Sequence, residues 1–277
     1  MIELLIAIVS LFAGSALGVV FDRGYKKYEF WSRLRKLCHV LPLNRDNREG
    51  DIYIRPSLEI LSGGEGGASK RAYTHAGEVI ALQDLGRVLH GTMVKLRFRY
   101  DDRVDDPKAD WIILGLSRKK STIAQSIFDK MTNEYGIEVV KGSGSHQYFK
   151  LGDGSEFRCR HVPDPAYESR VTTDFGIIYR SYNGSGGLIL LCGGIHMCGT
   201  QAALEVAISA DFCRRVKRSR AREFAQIVEV PVLDDGITID RDGIKWRDLP
   251  FVTLELSSST KVKTATSRLQ QRGRANE

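Results

Sequence analysis

The stretch LILLCGGIHMCGTQAALEVAI, residues 188–208, most constrains the fold, because it joins an apolar strand to a helix through glycines. Its first five residues are apolar without alternation, which is typical of a strand buried on both faces of a sheet. The segment WIILGLS, residues 111–117, has the same pattern and also precedes a helical segment. Such strands, alternating with helices, predict an α/β fold with a mostly parallel sheet covered on both faces.

The N-terminal segment is uncharged from residue 4 to residue 21. A helix over these residues would be about 27 Å long, close to the ~30 Å hydrocarbon core of a bilayer. A cleaved signal peptide would have a basic leader, whereas this chain begins Met-Ile-Glu. Residues 22–48 carry eight basic and three acidic side chains, which favours the cytoplasmic side. The sequence therefore predicts one transmembrane helix, residues 1–21, with its N-terminus outside, in the inner (plasma) membrane.

Two partners follow from this membrane prediction. Ser10, Gly14 and Gly18 recur at every fourth position, and small residues so spaced let two helices approach closely, so we expect a homo-oligomer. The basic juxtamembrane segment, residues 22–48, predicts contact with anionic lipid.

The remaining chain is predicted to hold one cytoplasmic α/β domain, residues 49–256, with an N-terminal part at 49–107 and a core at 108–232. Residues 257–277 are polar and basic, and we expect them to be disordered. The net charge of +7 is concentrated in residues 22–48, 211–222 and 257–277. It therefore gives no direct evidence for nucleic acid, although the cations between Arg214 and Arg222 suit a scaffold that binds protein.

The five cysteines show no C-x-x-C pair and are expected to be free thiols. Cys192, His196 and Cys198 form a C-x3-H-x-C pattern that matches no usual zinc spacing, even with Cys159 and His161 added. We therefore predict neither a metal nor a cofactor.

The first of two strand-to-helix turns follows residues 111–116 and is rich in cations and hydroxyls. Backbone N–H groups at a helix N-terminus attract anions, and positive side chains there oppose the helix dipole unless an anion is bound. The turn therefore predicts an anion site, while a solvated turn capped by Ser121 is the alternative. The candidate ligand-binding residues are Ser117, Arg118, Lys119, Ser121 and Thr122.

The second turn, within residues 193–200, has the spacing of a phosphate loop without its lysine, which disfavours ATP hydrolysis. Its glycines permit close backbone approach, so a polar ligand held by backbone amides and a purely structural corner both remain open. The candidate ligand-binding residues are Gly193, Gly194, His196, Gly199 and Thr200.

Catalysis is the competing interpretation of the same region. His196 is the titratable side chain of the second turn, and Asp174 precedes a neighbouring strand, so the two are candidate acid–base residues of a hydrolase acting on a nucleotide or glycosidic bond. No G-x-S-x-G nucleophile turn supports a Ser117, His196 and Asp174 triad. The sequence therefore leans away from an enzyme.

The segments DWIILGLS, TDFGIIYRSYN, LILLCGGIHMCGTQAALEVAI and FAQIVEVPV together resemble a Rossmann-like domain of uncharacterised bacterial and archaeal proteins. Its pattern runs D-[YF]-G-[LI]-I, then G-x-H-x-x-G-T-x-A-A, and the likeness covers about residues 108–232. The short loop SYNGSGG departs from the family's asparagine-rich loop. The matching positions are Asp174, Gly176, Gly194, His196, Gly199, Thr200, Ala202 and Ala203.

More loosely, a membrane helix joined to such a domain is similar to nucleotide-sensing effectors of bacterial antiviral defence. The resemblance implies a Rossmann-like fold and no particular reaction. The leading hypothesis is thus a membrane-anchored cytoplasmic sensor or effector that binds a small anionic, nucleotide-like ligand through the two turns. The hydrolase and the membrane scaffold remain alternatives.

Overall fold

The computed structural model describes residues 28, 32, 35, 37–42, 49–55, 59–61, 71–73, 76–90, 93–98, 108–116, 122–142, 147–164 and 168–253. Within them lie four helices of eight residues or more: α1 (Ala76–Leu89), α2 (Thr122–Tyr135), α3 (Met197–Ile208) and α4 (Ala210–Ser219). The strands are β1 (Glu49–Arg55), β2 (Glu59–Leu61), β3 (Arg71–Tyr73), β4 (Met93–Phe98), β5 (Asp110–Leu114), β6 (Ile137–Lys141), β7 (Gln147–Leu151), β8 (Glu156–Arg158), β9 (Arg160–Asp164), β10 (Glu168–Tyr182), β11 (Leu188–Gly194), β12 (Phe224–Pro231) and β13 (Phe251–Thr253).

The main sheet has the strand order β13-β12-β10-β11-β5-β1-β4, with β9 paired to β10. Strands β11, β5, β1 and β4 are parallel neighbours. Strands β13, β12, β10, β11 and β9 pair antiparallel, as do the small sheets β2-β3 and β6-β7-β8. The α/β class is right, but the predicted mostly parallel, Rossmann-like sheet is wrong, because antiparallel pairs predominate.

The apolar strands misled this prediction because the mixed sheet is covered on both faces. One face packs under α1, α3 and α4, and Ile178 of β10 and Leu190 of β11 lie in that core. The other face packs under α2 and the β6-β7-β8 sheet, and Ile177 and Leu191 lie there. Every residue of β11 is buried. Burial on both faces removes the apolar–polar alternation whatever the strand direction. An unbroken apolar strand therefore indicates that both faces of the sheet are covered, and it does not indicate whether the strands are parallel or antiparallel.

Among the helices that the structure describes, none is both long and apolar enough to cross a bilayer. The longest have 14 residues, about 21 Å, against a hydrocarbon core of about 30 Å. On this finding the prediction of a single-pass protein in the inner membrane is wrong. The predicted span, residues 1–21 with Ser10, Gly14 and Gly18, lies outside the described residues, as does the tail at 257–277.

Part of the basic segment that precedes the domain belongs to its core. Leu37, Val40 and Leu41 are at most 1% exposed and pack in the same hydrophobic cluster as α1 and α3. The amides of Val40 and Leu41 both donate to the Leu37 carbonyl, which makes a tight turn. The folded unit thus includes residues before position 49.

Candidate functional site

The two predicted turns begin side by side at one edge of the sheet. They follow β5 and β11, which are parallel neighbours with Leu114 opposite Cys192. The amide of Gly115 donates to the Cys192 carbonyl at 3.0 Å. A Cβ on Gly193 would lie 2.4 Å from a methyl carbon of Leu116, so any larger residue there would require the Leu116 side chain to move. The structure therefore brings the starts of the turns together, while residues 117–121 lie outside the described part of the chain.

The helices that follow these turns cover opposite faces of the sheet. Helix α2 follows β5 and packs into the cluster that contains Ile127 and Met131. Helix α3 follows β11 and packs into the other cluster with Ala203 and Leu204. Where neighbouring parallel strands send their helices to opposite faces, a crevice opens between the two turns at the carboxyl ends of the strands.

Asp174 occupies the N-terminus of α3. The side chain is 0% exposed, and its Oδ1 accepts hydrogen bonds from the amides of Phe175 at 2.8 Å and His196 at 3.2 Å. Its Oδ2 accepts from the Gly199 amide at 2.5 Å. The N-cap residue, His196, makes no side-chain capping bond of its own. A carboxylate from β10 therefore caps the helix and faces the positive end of its dipole.

The glycine turn is tied together by its own atoms. Thr200 Oγ1 accepts a hydrogen bond from the Gly194 amide at 2.8 Å. A Cβ on Gly176 would lie 2.2 Å from the Gly199 carbonyl oxygen, and one on Gly199 would lie 2.3 Å from the Phe175 carbonyl oxygen. Strand β10 and helix α3 thus meet backbone to backbone. The amides of Gly194 and Gly199, both ligand candidates, already donate to acceptors inside the protein, namely Thr200 Oγ1 and Asp174 Oδ2.

Two thiols border the buried carboxylate. Cys159 Sγ donates to Asp174 Oδ1 at 3.1 Å, and Cys198 Sγ donates to the Ile237 carbonyl at 3.2 Å. Burial, reinforced by the charge of Asp174, raises the pKa of the Cys159 thiol far above its ordinary value. The same two causes raise the pKa of Cys198 to about 12. Both thiols are therefore protonated at neutral pH, which makes them poor nucleophiles.

His196 and Asp174 are neighbours, but their contact runs through the backbone. Asp174 accepts from the His196 amide, while the His196 ring packs edge-to-face against the His161 ring with their centres 5.7 Å apart. Both histidines are half-buried. A carboxylate that orients a catalytic histidine bonds to its ring nitrogen, so these contacts give Asp174 a structural role and lend the hydrolase no support.

Within the described residues, no cluster of three or more His, Cys, Asp or Glu side chains is arranged to hold a metal ion. Cys192 lies on the interior strand β11, opposite Leu114 of β5, and its thiol is fully buried, which raises its pKa. The contact of Cys159 with Asp174 was not foreseen from sequence, because 15 positions separate the two residues and no motif links them.

Comparison of the chain with models of known protein families gives no match. Comparison with curated proteins also gives none. The resemblance to a Rossmann-like family therefore stays a prediction, and any function must be argued from the geometry of this edge of the sheet.

Proposed function

We propose that this protein binds a small anionic, nucleotide-like ligand in the crevice between the turns that follow β5 and β11. The observation that carries the proposal is the divergence of α2 and α3 to opposite faces from two neighbouring parallel strands. In open α/β sheets, ligands bind beyond the carboxyl ends of the strands at such a point.

The anionic part of the ligand belongs on the α2 side of this crevice. On the α3 side, the buried Asp174 carboxylate accepts the Gly199 amide and would repel a second negative charge. The α2 turn carries Arg118 and Lys119 together with the hydroxyl residues Ser117, Ser121 and Thr122. Cations and hydroxyls at a helix N-terminus suit a phosphate or carboxylate group.

The uncharged part of the ligand then faces the α3 turn, where the His196 side chain is half-buried and makes no capping bond. An imidazole ring offers both a hydrogen bond and a stacking face to a heterocycle. This arrangement supports binding rather than turnover, because main-chain amides and a thiol already occupy the oxygens of Asp174.

Isothermal titration calorimetry on the full chain tests the proposal. The panel consists of inorganic phosphate, a nucleoside, its mono- and triphosphates, and a cyclic dinucleotide. We expect phosphorylated members to bind at least ten times more tightly than the nucleoside. Replacing both Arg118 and Lys119 by glutamine should weaken that binding by about 10- to 100-fold, since a hydrogen bond to a charged group contributes about 1.5–3 kcal/mol.

The matched control is K141Q/K150Q, which removes two exposed cations from the small sheet β6-β7-β8. It should bind like the unmodified protein. Absence of binding to every member of the panel by folded protein would refute the proposal, as would an equal loss of affinity in the control.

A further inference from the structure

A second surface of one charge sign lies at the end of α4, away from the crevice. Lys217, Arg218, Arg220 and Arg222 are all exposed there, within six consecutive positions. Among the described residues, none of these four side chains forms an ion pair. We call these four residues the α4 basic end.

The acidic residues nearest to the α4 basic end in sequence are already paired. Asp211, at the other end of the helix, forms ion pairs with Arg214 and Arg247. Glu223 accepts hydrogen bonds from Lys130 at 2.9 Å and from the Tyr182 amide at 2.9 Å. The positive charge of the α4 basic end is therefore not compensated by these neighbours.

Helix stability does not explain all four cations. The negative end of the helix dipole favours Lys217 and Arg218, which lie in the last turn. Arg222 lies beyond the helix, where the dipole no longer acts. Arg220 has φ 55°, in the left-handed region, where glycine or asparagine is favoured. An arginine held there in a strained backbone conformation points to a use for its side chain.

An exposed aromatic ring lies on the strand end that contacts the backbone of the α4 basic end. Tyr182 is 37% exposed, and the guanidinium of the buried Arg180 lies 5.8 Å from the centre of its ring. The same guanidinium donates to the Arg222 carbonyl, which ties the strand end that carries Tyr182 to the α4 basic end. Unpaired cations next to an exposed ring match the surface on which single-stranded nucleic acids lie, with phosphates on the cations and a base stacked on the ring.

We infer that the α4 basic end and Tyr182 form a binding surface for single-stranded nucleic acid. The sequence that follows the last described strand is also basic. The last described residue, Thr253, pairs with Phe224, two positions after Arg222. From there the sequence continues into residues 257–277, which hold five basic and one acidic side chain. An acidic protein segment would also contact the cations, but it would gain nothing from the ring.

Fluorescence anisotropy with the full chain tests the inference, using a labelled twelve-residue oligothymidylate, a duplex of equal length and a labelled oligoglutamate. Each phosphate contact to a single strand contributes about −0.7 to the slope of log affinity against log salt. The variant K217Q/R218Q/R220Q/R222Q should therefore reduce the magnitude of the slope by about 2.8, and should weaken binding at 0.1 M salt roughly 100-fold or more.

Replacing Tyr182 by alanine should weaken binding of the single strand by about 5- to 100-fold with little change in slope, because stacking of a base is lost and no cation is removed. Duplex binding should change less. The charge-matched control removes four exposed cations elsewhere and should retain most of the affinity: K95Q/K141Q/K150Q/R160Q.

Each variant is first shown by circular dichroism to melt within a few degrees of the unmodified protein. Equal binding by the quadruple variant and its control would overturn the inference, because it would make the attraction a property of overall charge. Oligoglutamate binding as tight as the oligonucleotide, with no effect of Y182A, would also overturn it and would assign the surface to an acidic protein.

Discussion

The capping role of Asp174 makes a quantitative prediction about the substitution Asp174→Asn. The carboxylate accepts four hydrogen bonds, from the amides of Phe175, His196 and Gly199 and from the thiol of Cys159. Asparagine retains one acceptor oxygen. If that oxygen takes the place of Oδ1, the new amide NH₂ group faces the Gly199 N–H, and two donors oppose each other inside the protein.

The cost follows from two terms. A buried amide left without an acceptor costs about 1–3 kcal/mol. Loss of the negative charge at the N-terminus of α3 removes about 0.3–1 kcal/mol, and up to about 2 in partly buried settings. Part of this loss is recovered, because asparagine removes the free-energy cost of keeping a charged carboxylate away from water. We therefore expect D174N to lower the free energy of unfolding by about 2 kcal/mol.

Urea unfolding followed by far-UV circular dichroism and tryptophan fluorescence measures this change. Trp111 packs on the α2 face of the sheet and Trp246 on the α4 face, so fluorescence reports both cores. With an m-value of about 2–3 kcal/mol/M, the midpoint should fall by about 1 M urea. The control D242N alters an exposed aspartate and should shift the midpoint little. An unchanged midpoint in D174N would refute the capping argument and revive a direct chemical role for this carboxylate.

Three further outcomes are expected. Gly176→Ala would place a Cβ 2.2 Å from a backbone oxygen of α3 and should destabilise the protein by about 1–3 kcal/mol. Gly86→Ala, in the last turn of α1 with nothing within 4 Å of the added Cβ, should stabilise it by about 0.4–1 kcal/mol. A similar urea midpoint for both variants would contradict the packing argument. Burial opposes ionisation of Glu223, but hydrogen bonds from Lys130 and its neighbours outweigh it and hold the pKa of Glu223 below its ordinary 4.5. A group whose pKa is lower in the folded protein stabilises it above about pH 4.5, and this stabilisation is lost as the pH falls through the folded pKa. The substitution E223Q should therefore cost about 1 kcal/mol of stability at pH 7, and the stabilities of the variant and the unmodified protein should converge in acid. A constant difference in stability down to pH 3 would count against this. Because burial raises the pKa of the Cys192 thiol, a thiol reagent at pH 8 should leave Cys192 unmodified in native protein and label it in urea, as peptide mass spectrometry would show.

The sequence predicted the elements of this fold better than their directions. The apolar residues of segment 75–90 recur at regular helical spacing, and this segment forms α1 (Ala76–Leu89). Helix α3 begins at Met197, two residues before Gly199. The carboxylate that caps it comes from β10, so the sequence near Met197 carries no signal for this start. Whether β10 and β11 run parallel or antiparallel depends on the length of their connection. Asn183–Gly187 is a tight hairpin loop, closed by the Asn183 amide donating to the Gly187 carbonyl at 2.8 Å.

The polar contacts of the folded protein were beyond sequence reasoning because they join distant positions. Lys130 and Glu223 are 93 residues apart, and each would be taken alone for a solvated charge. The contact of Asp174 with Gly199 spans 25 residues. The strands before both turns and the helices after them are present, because a change from an apolar strand to a glycine- or hydroxyl-rich segment is a local signal. What their amides bind is a tertiary property.

The backbone amides of a glycine turn at a helix N-terminus can donate hydrogen bonds either to a ligand or to acceptors of the protein itself. Which of these occurs depends on the buried side chains next to the turn. In this protein Asp174 accepts a hydrogen bond from the Gly199 amide, and Thr200 Oγ1 accepts one from the Gly194 amide. In the proposed site, the negative charge of Asp174 at the base of the α3 turn would repel an anion there, and this favours the cations of the sequence between β5 and α2 as the place for the anionic group. The proposed ligand should therefore bind in one orientation, with its anionic group toward Arg118 and its neutral part toward His196. A structure with a bound nucleotide in the reverse orientation would contradict this account of the site.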